Sequence, residues 1–183
     1  MNDADDRALL ERIAARDRVA FETFFRKHGP AVHRFVRDLV REDGLAEELT
    51  SDVMVEVWRS AGKFAGRSRV RTWLFGIAHH KAIDALRRRR TPTVPLDDLL
   101  TVASSVEGPE DAALRAVERH ELERALAALS PEHRAVLELT FVQGFSQKEI
   151  AEVVDAPAAT VKTRAFYAKQ RLRDVLATAE HPR

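Results

Sequence analysis

The chain of 183 residues has no cysteine, which excludes a disulfide framework and a thiolate metal site and is compatible with a cytoplasmic setting. It has no glycine-rich phosphate loop and no H-E-x-x-H pattern. No apolar run approaches the roughly 20 residues that a membrane helix needs, so membrane insertion is not expected. The opening residues, Met1-Asn2-Asp3-Ala4-Asp5-Asp6, are acidic and polar, unlike a secretory signal. Strand-length alternation and internal repeats are also missing. What is present is helical: 45% hydrophobic and 32% charged residues, arranged with helical periodicity. The length suits two small helical domains, each with a modest core and marginal stability by itself.

The formal net charge of +1 says nothing about partners, but its distribution does. Arg67 to Arg90 carries eight Lys or Arg against one acid, Asp84. Lys162 to Arg173 carries five and no acid. Between these blocks lie Asp97, Asp98, Glu107, Glu110 and Asp111. Two basic blocks around an acidic segment fit a protein that meets polyanions at two places.

The pattern predicts helices over 5–16 and 19–28, a break at Gly29-Pro30, and helices over 31–41, 45–60 and 70–90. Thr91 to Pro109, with three prolines, reads as a mobile acidic linker. Helices over 110–129, 132–143, 146–154 and 158–178 follow. The expected fold is all-α: a domain over 1–90, a flexible acidic linker over 91–109, and a domain over 110–183 ending in a helix-turn-helix.

The helix-turn-helix is read from Gly144 to Arg164. Ser146 caps its first helix, with Glu149 completing a capping box. Asp155 sits where the chain must turn, and Pro157 helps start the second helix. There Val161, Ala165, Ala168, Leu172 and Val175 keep a buried spacing, leaving Lys162, Thr163, Phe166 and Gln170 for a major-groove face. Arg164, Lys169, Arg171 and Arg173 suit phosphate contact. The bland alternative is a trihelical packing unit with solvated charges.

Trp73 to Arg90 reads as one helix on which Gly76, His80, Asp84 and Arg87 share a stripe, flanked by Lys81 and Arg88. Such a face suits a nucleic-acid backbone and exposed bases, or else is a cation cluster favoured by a helix C-terminus. His79 and His80 point about 100° apart on a helix, and His80 with Asp84 lacks an evident third ligand, so no metal is assigned. No cofactor is called for. Helix 45–60 has strong apolar content and an acidic face with Glu47, Glu48, Ser51, Asp52 and Glu56, a solvated face or a partner surface.

Together these motifs resemble the extracytoplasmic function (ECF) group of sigma factors within the sigma-70 family, from about Val19 to Leu176. Ala46 to Trp58 resembles the segment that docks on the RNA polymerase clamp. Lys63-Phe64 through Ala78 resembles the segment that melts and reads the −10 element. Leu129 to Arg134 and the helix-turn-helix resemble the −35 reader. The resemblance implies core RNA polymerase as partner, through the beta-prime clamp and the beta flap, with Glu47, Glu48, Ser51, Asp52 and Glu56 at the docking face. It implies −10 contacts from Lys63, Phe64, Arg67, Arg69, Arg71, Thr72, Trp73, His80, Lys81, Asp84, Arg87 and Arg88, with the loop Phe64 to Arg71 taking a flipped base from single-stranded DNA. It implies −35 duplex contacts from Thr160, Lys162, Thr163, Arg164, Phe166, Lys169, Gln170 and Arg171. It further implies no chemistry performed by the chain, an anti-sigma factor as regulator, and the cytoplasm as location. Three positions depart from the family pattern: Ala159 and Asp155 stand where glycine is frequent, and His80 where asparagine is common. A duplex-binding regulator would account only for the C-terminal motif. An enzyme with a fused DNA-binding domain finds no catalytic constellation here.

Overall fold

The computed structural model describes residues 3–90 and 124–180. Among them the architecture is all-helical. Helices α1 (Asp3–Ala14), α2 (Arg18–Val40), α3 (Asp43–Ser60) and α4 (Val70–Arg90) come first, with a short 3-10 turn, Ala61–Lys63, after α3. Helical residues 124–127 are followed by α5 (Pro131–Leu137), a π-helical turn (Glu138–Val142), α6 (Gln147–Val153) and α7 (Ala158–Glu180). The expected linker 91–109 and most of the expected helix 110–129 lie outside the described residues.

Local chemistry sets the helix ends. Asp17 caps α2, accepting from the Val19 and Ala20 N–H groups at 2.9 and 3.1 Å. Ser130 caps α5, with Pro131 in the first turn. The expected capping box of α6 is present: Glu149 N–H donates to Ser146 Oγ at 3.3 Å, and Ser146 N–H donates to Glu149 Oε2 at 2.9 Å. Asp155, at φ 47°, makes the turn between α6 and α7.

Two boundaries differ from expectation. The helix does not break at Gly29-Pro30 but runs unbroken as α2. Phe24, His28, Val32, Phe35, Val36 and Leu39 form one buried stripe across the proline, and their burial outweighs the missing N–H. Gly29 also admits the Phe25 ring, which stands 3.4 Å from where a Cβ would be. The second difference is that 132–143 is not one α-helix. From Glu138 the chain widens into a π turn, held by Gln143 N–H to Glu138 O at 3.0 Å. Phe145 N–H then reaches Leu139 O at 2.9 Å, and both side chains are buried.

The core of α1–α4, with Phe24, Phe35, Met54, Leu74 and Phe75 fully buried, continues into the C-terminal helices. The Phe75 and Phe145 rings meet at 5.2 Å, and Leu139, Ile150, Val153 and Val161 belong to the same cluster. A smaller cluster of Leu129, Leu137 and Ala168 lies within the C-terminal part.

Candidate nucleic-acid interface

The basic helix α4 starts at a loop, 64–69, that brings aromatic and cationic side chains together. Phe64 and Trp73 are half-buried, with ring centroids 5.3 Å apart. Lys63, Arg67 and Arg69 are exposed. Gly66 takes φ 67°, a conformation costly to any residue with a Cβ. Arg7 of α1 lies beneath the loop, donating from Nη2 to Ser68 O at 3.2 Å, and the Asp3 carboxylate accepts the Val70 N–H at 2.8 Å.

Along α4, His80 is exposed and its Nδ1 lies 2.7 Å from Gly76 O. Lys81 is half-buried and faces Asp52 of α3 at 3.7 Å. Asp84, Arg87 and Arg88 are exposed, with Asp84 and Arg87 paired at 3.9 Å. Thr72 faces inward at 2% exposure, so in this arrangement it presents nothing to solvent. On α3, Glu47, Glu48, Ser51 and Asp52 form an exposed polar face, and Glu56 is half-buried. Arg89 joins the end of α4 to Glu42 just before α3.

The C-terminal face is more open. On α7, Lys162, Thr163, Gln170 and Arg171 are exposed, and Phe166 is 64% exposed. Thr160 and Arg164 are half-buried. Thr163 Oγ1 donates to Ala159 O at 3.0 Å, and the Lys169 ammonium lies 5.0 Å from the Phe141 ring centroid. Val161 and Ala168 are buried and Ala165, Leu172 and Val175 half-buried, which turns this polar strip outward.

The N- and C-terminal helices are packed against each other through α4 and α6. Arg69 pairs with Glu149 at 3.3 Å. Arg71 donates to Gln143 O at 3.3 Å and Gln143 Oε1 at 3.1 Å, and its guanidinium stacks over Phe145 at 4.9 Å. Burial lowers the Arg71 pKa, against the charges of Glu149 and Asp6. An open groove lined by Trp73, Gly76, His80 and Glu152 runs along this seam.

Sequence reasoning missed the residues that hold the seam closed. Arg134, 7% exposed, donates to Asp38 O and Leu39 O at the end of α2, at 3.1 and 3.0 Å. It also donates to Leu126 O and Leu129 O on its own side, at 3.1 and 2.9 Å. Burial, with Arg41 nearby, lowers its pKa to about 10. Burial and the Asp38 charge push Glu138 up to about 7. His79, 6% exposed, has no hydrogen-bond partner for either ring nitrogen among the described residues, and burial with the neighbouring His80 and Arg164 charges lowers it to about 4. No local pattern marks Arg134 or Glu138, because their partners are distant in sequence.

A basic helix after an acidic-faced helix, followed by a capped helix-turn-helix, is the arrangement that the resemblance to the sigma-70 family implies. Sigma-70 region 2 matches residues 24–91, and Sigma-70, region 4 matches residues 119–172. The chain is 33% identical to the ECF RNA polymerase sigma factor SigM of Mycobacterium tuberculosis over 176 residues, 96% of this chain and 86% of SigM. It is 34% identical to the RNA polymerase sigma factor CarQ of Myxococcus xanthus, over 93% of this chain and 97% of CarQ. It is 35% identical to the ECF sigma factor RpoE of Cereibacter sphaeroides, over 94% and 98%. The solved structure of CnrH in complex with the cytosolic domain of CnrY matches with a TM-score of 0.70 at 25% identity, over 94% of this chain and 97% of that one. The RpoE of Bartonella quintana, solved with the anti-sigma factor NepR, shares the fold at a TM-score of 0.70 and 23% identity, over 86% and 96%. The chain belongs to the ECF RNA polymerase sigma factors of the sigma-70 family.

Proposed function

We propose that this chain directs promoter-specific initiation as two linked readers, 1–90 and 110–183, joined by the linker 91–109. The exposed acidic face of α3 (Glu47, Glu48, Ser51, Asp52 and the flanking Glu56) docks on the beta-prime clamp of core RNA polymerase, and the C-terminal reader engages the beta flap. Loop 64–69 and α4 capture the unwound −10 strand: Phe64 and Trp73 offer stacking surfaces, and Lys63, Arg67, Arg69, Arg71, Arg87 and Arg88 supply positive charge. His80, Lys81 and Asp84 complete that face, and Thr72 lies buried behind it. On α7, Lys162, Thr163, Phe166 and Gln170 reach base edges at −35, while Thr160, Arg164, Lys169 and Arg171 hold phosphate. The polymerase makes the bonds and this chain performs no chemistry. The protein acts in the cytoplasm. An anti-sigma factor restrains it, a reading supported by CnrH having been captured on a protein partner, the cytosolic domain of CnrY.

The observation that carries this reading is the co-occurrence, in one chain matched to both sigma regions, of the aromatic–cationic loop before α4 and the outward polar strip of α7. Abortive transcription with matched core polymerase over a promoter library tests it. Initiation from a defined start that depends on the chain is expected. An active preparation with neither stimulation nor core binding overturns the reading. Lys162→Ala is expected to weaken −35 recognition by roughly five- to tenfold, and His80→Ala to change the preferred −10 bases. Promoter profiles identical to the parent's would remove each assignment.

A further inference from the structure

Loop 64–69 would be a poor reader if it were mobile, because each contact to an unstacked base would first have to order the loop. Little in the loop itself orders it. It holds Gly66 at φ 67°, and the exposed Ser68 Oγ bonds only the adjacent Arg69 carbonyl, at 3.3 Å. Arg69 at its far end pairs with Glu149, and the rest of the loop is held from α1. Arg7 Nη2 donates to Ser68 O at 3.2 Å and lies 3.4 Å from Gly66 O. The same guanidinium stands over the Phe64 ring, 5.8 Å from its centroid. Arg7 is itself held by Asp3, with Nε to Oδ2 at 2.7 Å. The other oxygen, Asp3 Oδ1, accepts the Val70 N–H at 2.8 Å, so a side chain 67 residues away serves the orphan donor where α4 starts. Both ends of the loop are thus tied to one ion pair.

The arrangement leaves no slack. A Cβ on Gly66 would stand 3.0 Å from Arg7 Nη1. Burial works to raise the Asp3 pKa, but its hydrogen bonds from Arg7 and Val70, with the charges of Arg7 and Arg69, lower it overall. Neither residue lies in the segments matched to the sigma regions, which begin at residue 24.

We propose that Asp3 and Arg7 are a positioning pair that sets the conformation of loop 64–69 and so the selectivity of its contact with the −10 strand. This rests on the reading of that loop given above. Arg7 acts through its planar fork, which reaches Asp3 and two loop carbonyls together; a lysine ammonium supplies the charge without that geometry.

The test uses the full chain in holoenzyme, a labelled single-stranded oligonucleotide carrying the −10 element recovered in the initiation assay, the same oligonucleotide with that element substituted, and the −35 duplex. Arg7→Ala and Arg7→Lys are both expected to lower the ratio of −10 to substituted binding by about fivefold or more, with −35 binding unchanged. Asp3→Ala should do the same, and the double variant should lose no more than either single one, as for residues acting as a unit. Asp3→Asn, whose amide oxygen can still accept the Val70 N–H while its amide nitrogen cannot accept from Arg7, supplies the same readout should an alanine variant fold poorly. Phe64→Ala serves as the direct-contact reference. If Phe64→Ala lowers the ratio while the Arg7 and Asp3 variants leave it intact, the positioning role is overturned and the loop remains the reader. If Arg7→Lys behaves as the parent while Arg7→Ala does not, Arg7 acts as a charge, and the proposal fails. If Phe64→Ala and all the others leave the ratio unchanged, the loop is not the −10 reader and both readings fall.

Discussion

At the scale of single residues, the seam between the N- and C-terminal helices holds two ionisable groups whose burial works in opposite directions. Glu138 has its pKa raised to about 7, so the folded chain binds its proton more tightly than the unfolded chain does. Its contribution is fully present below the ordinary glutamate range and is lost as pH rises toward 7. His79 is lowered to about 4, so its contribution is present above the ordinary histidine value and is lost as pH falls toward 4. Between these limits the two slopes oppose each other. Urea melts of single variants should separate them. Glu138→Gln is expected to gain stability relative to the parent as pH rises from about 4.5 to 7, reaching on the order of 1–2 kcal/mol. His79→Leu should gain relative to the parent as pH falls from about 6.5 to 4. A difference from the parent that does not vary with pH would show that the replaced group titrates alike in the folded and unfolded chains.

At the scale of elements, α6 is the clearest case of a helix that depends on its end. It has seven residues, too short to form on propensity. Ser146→Ala removes one half of its capping box and should cost about 1 kcal/mol in thermal or chemical unfolding. An unchanged midpoint would mean that Ile150 and Val153, both buried, hold the helix by packing alone. The starts of α5 and α6 and the Asp155 turn were legible in the sequence because each is decided within four residues. The start of α4 at Val70 agrees with the sequence reading, while the expected stop at Thr91-Pro92 lies outside the described residues. The continuity of α2 was not legible, since Gly29-Pro30 signals a break that only burial across the proline overrides. The π turn at 138 was hidden too, because what it accomplishes is the seating of Phe145 against Phe75, a contact 70 residues apart. The outward strip of α7 was read from its spacing, with Lys162, Thr163, Phe166 and Gln170 all exposed. The Asp3–Arg7 brace was beyond sequence reading, as no short motif links α1 to a loop some 60 residues later.

At the scale of the whole molecule, the main core of α1–α4 extends into the C-terminal helices, beside a smaller cluster of Leu129, Leu137 and Ala168. Arg134 is central to this union: its guanidinium spans carbonyls of both parts and meets the negative end of α2. Arg134→Ala leaves those carbonyls without their donor and should cost about 2–3 kcal/mol. Calorimetry should then resolve a single transition in the parent and two in the variant. A single transition in both would place the cooperativity in the aromatic contact of Phe75 with Phe145. In this arrangement Arg69 and Arg71 are engaged by Glu149 and Gln143. Arg69, exposed even while paired, can reach a nucleic-acid strand in place, whereas the half-buried Arg71 can do so only when α4 and α6 move apart.

Gly76 bears on how that separation could be imposed. It faces α6, and a Cβ there would stand 3.9 Å from the Val153 carbonyl oxygen. An alanine is in ordinary contact at that spacing, while a branched or bulky side chain must either fill the groove beside it or press on α6. One neutral position can therefore serve as a wedge, altering the clearance between the two readers while leaving every cation, carboxylate and cap in place.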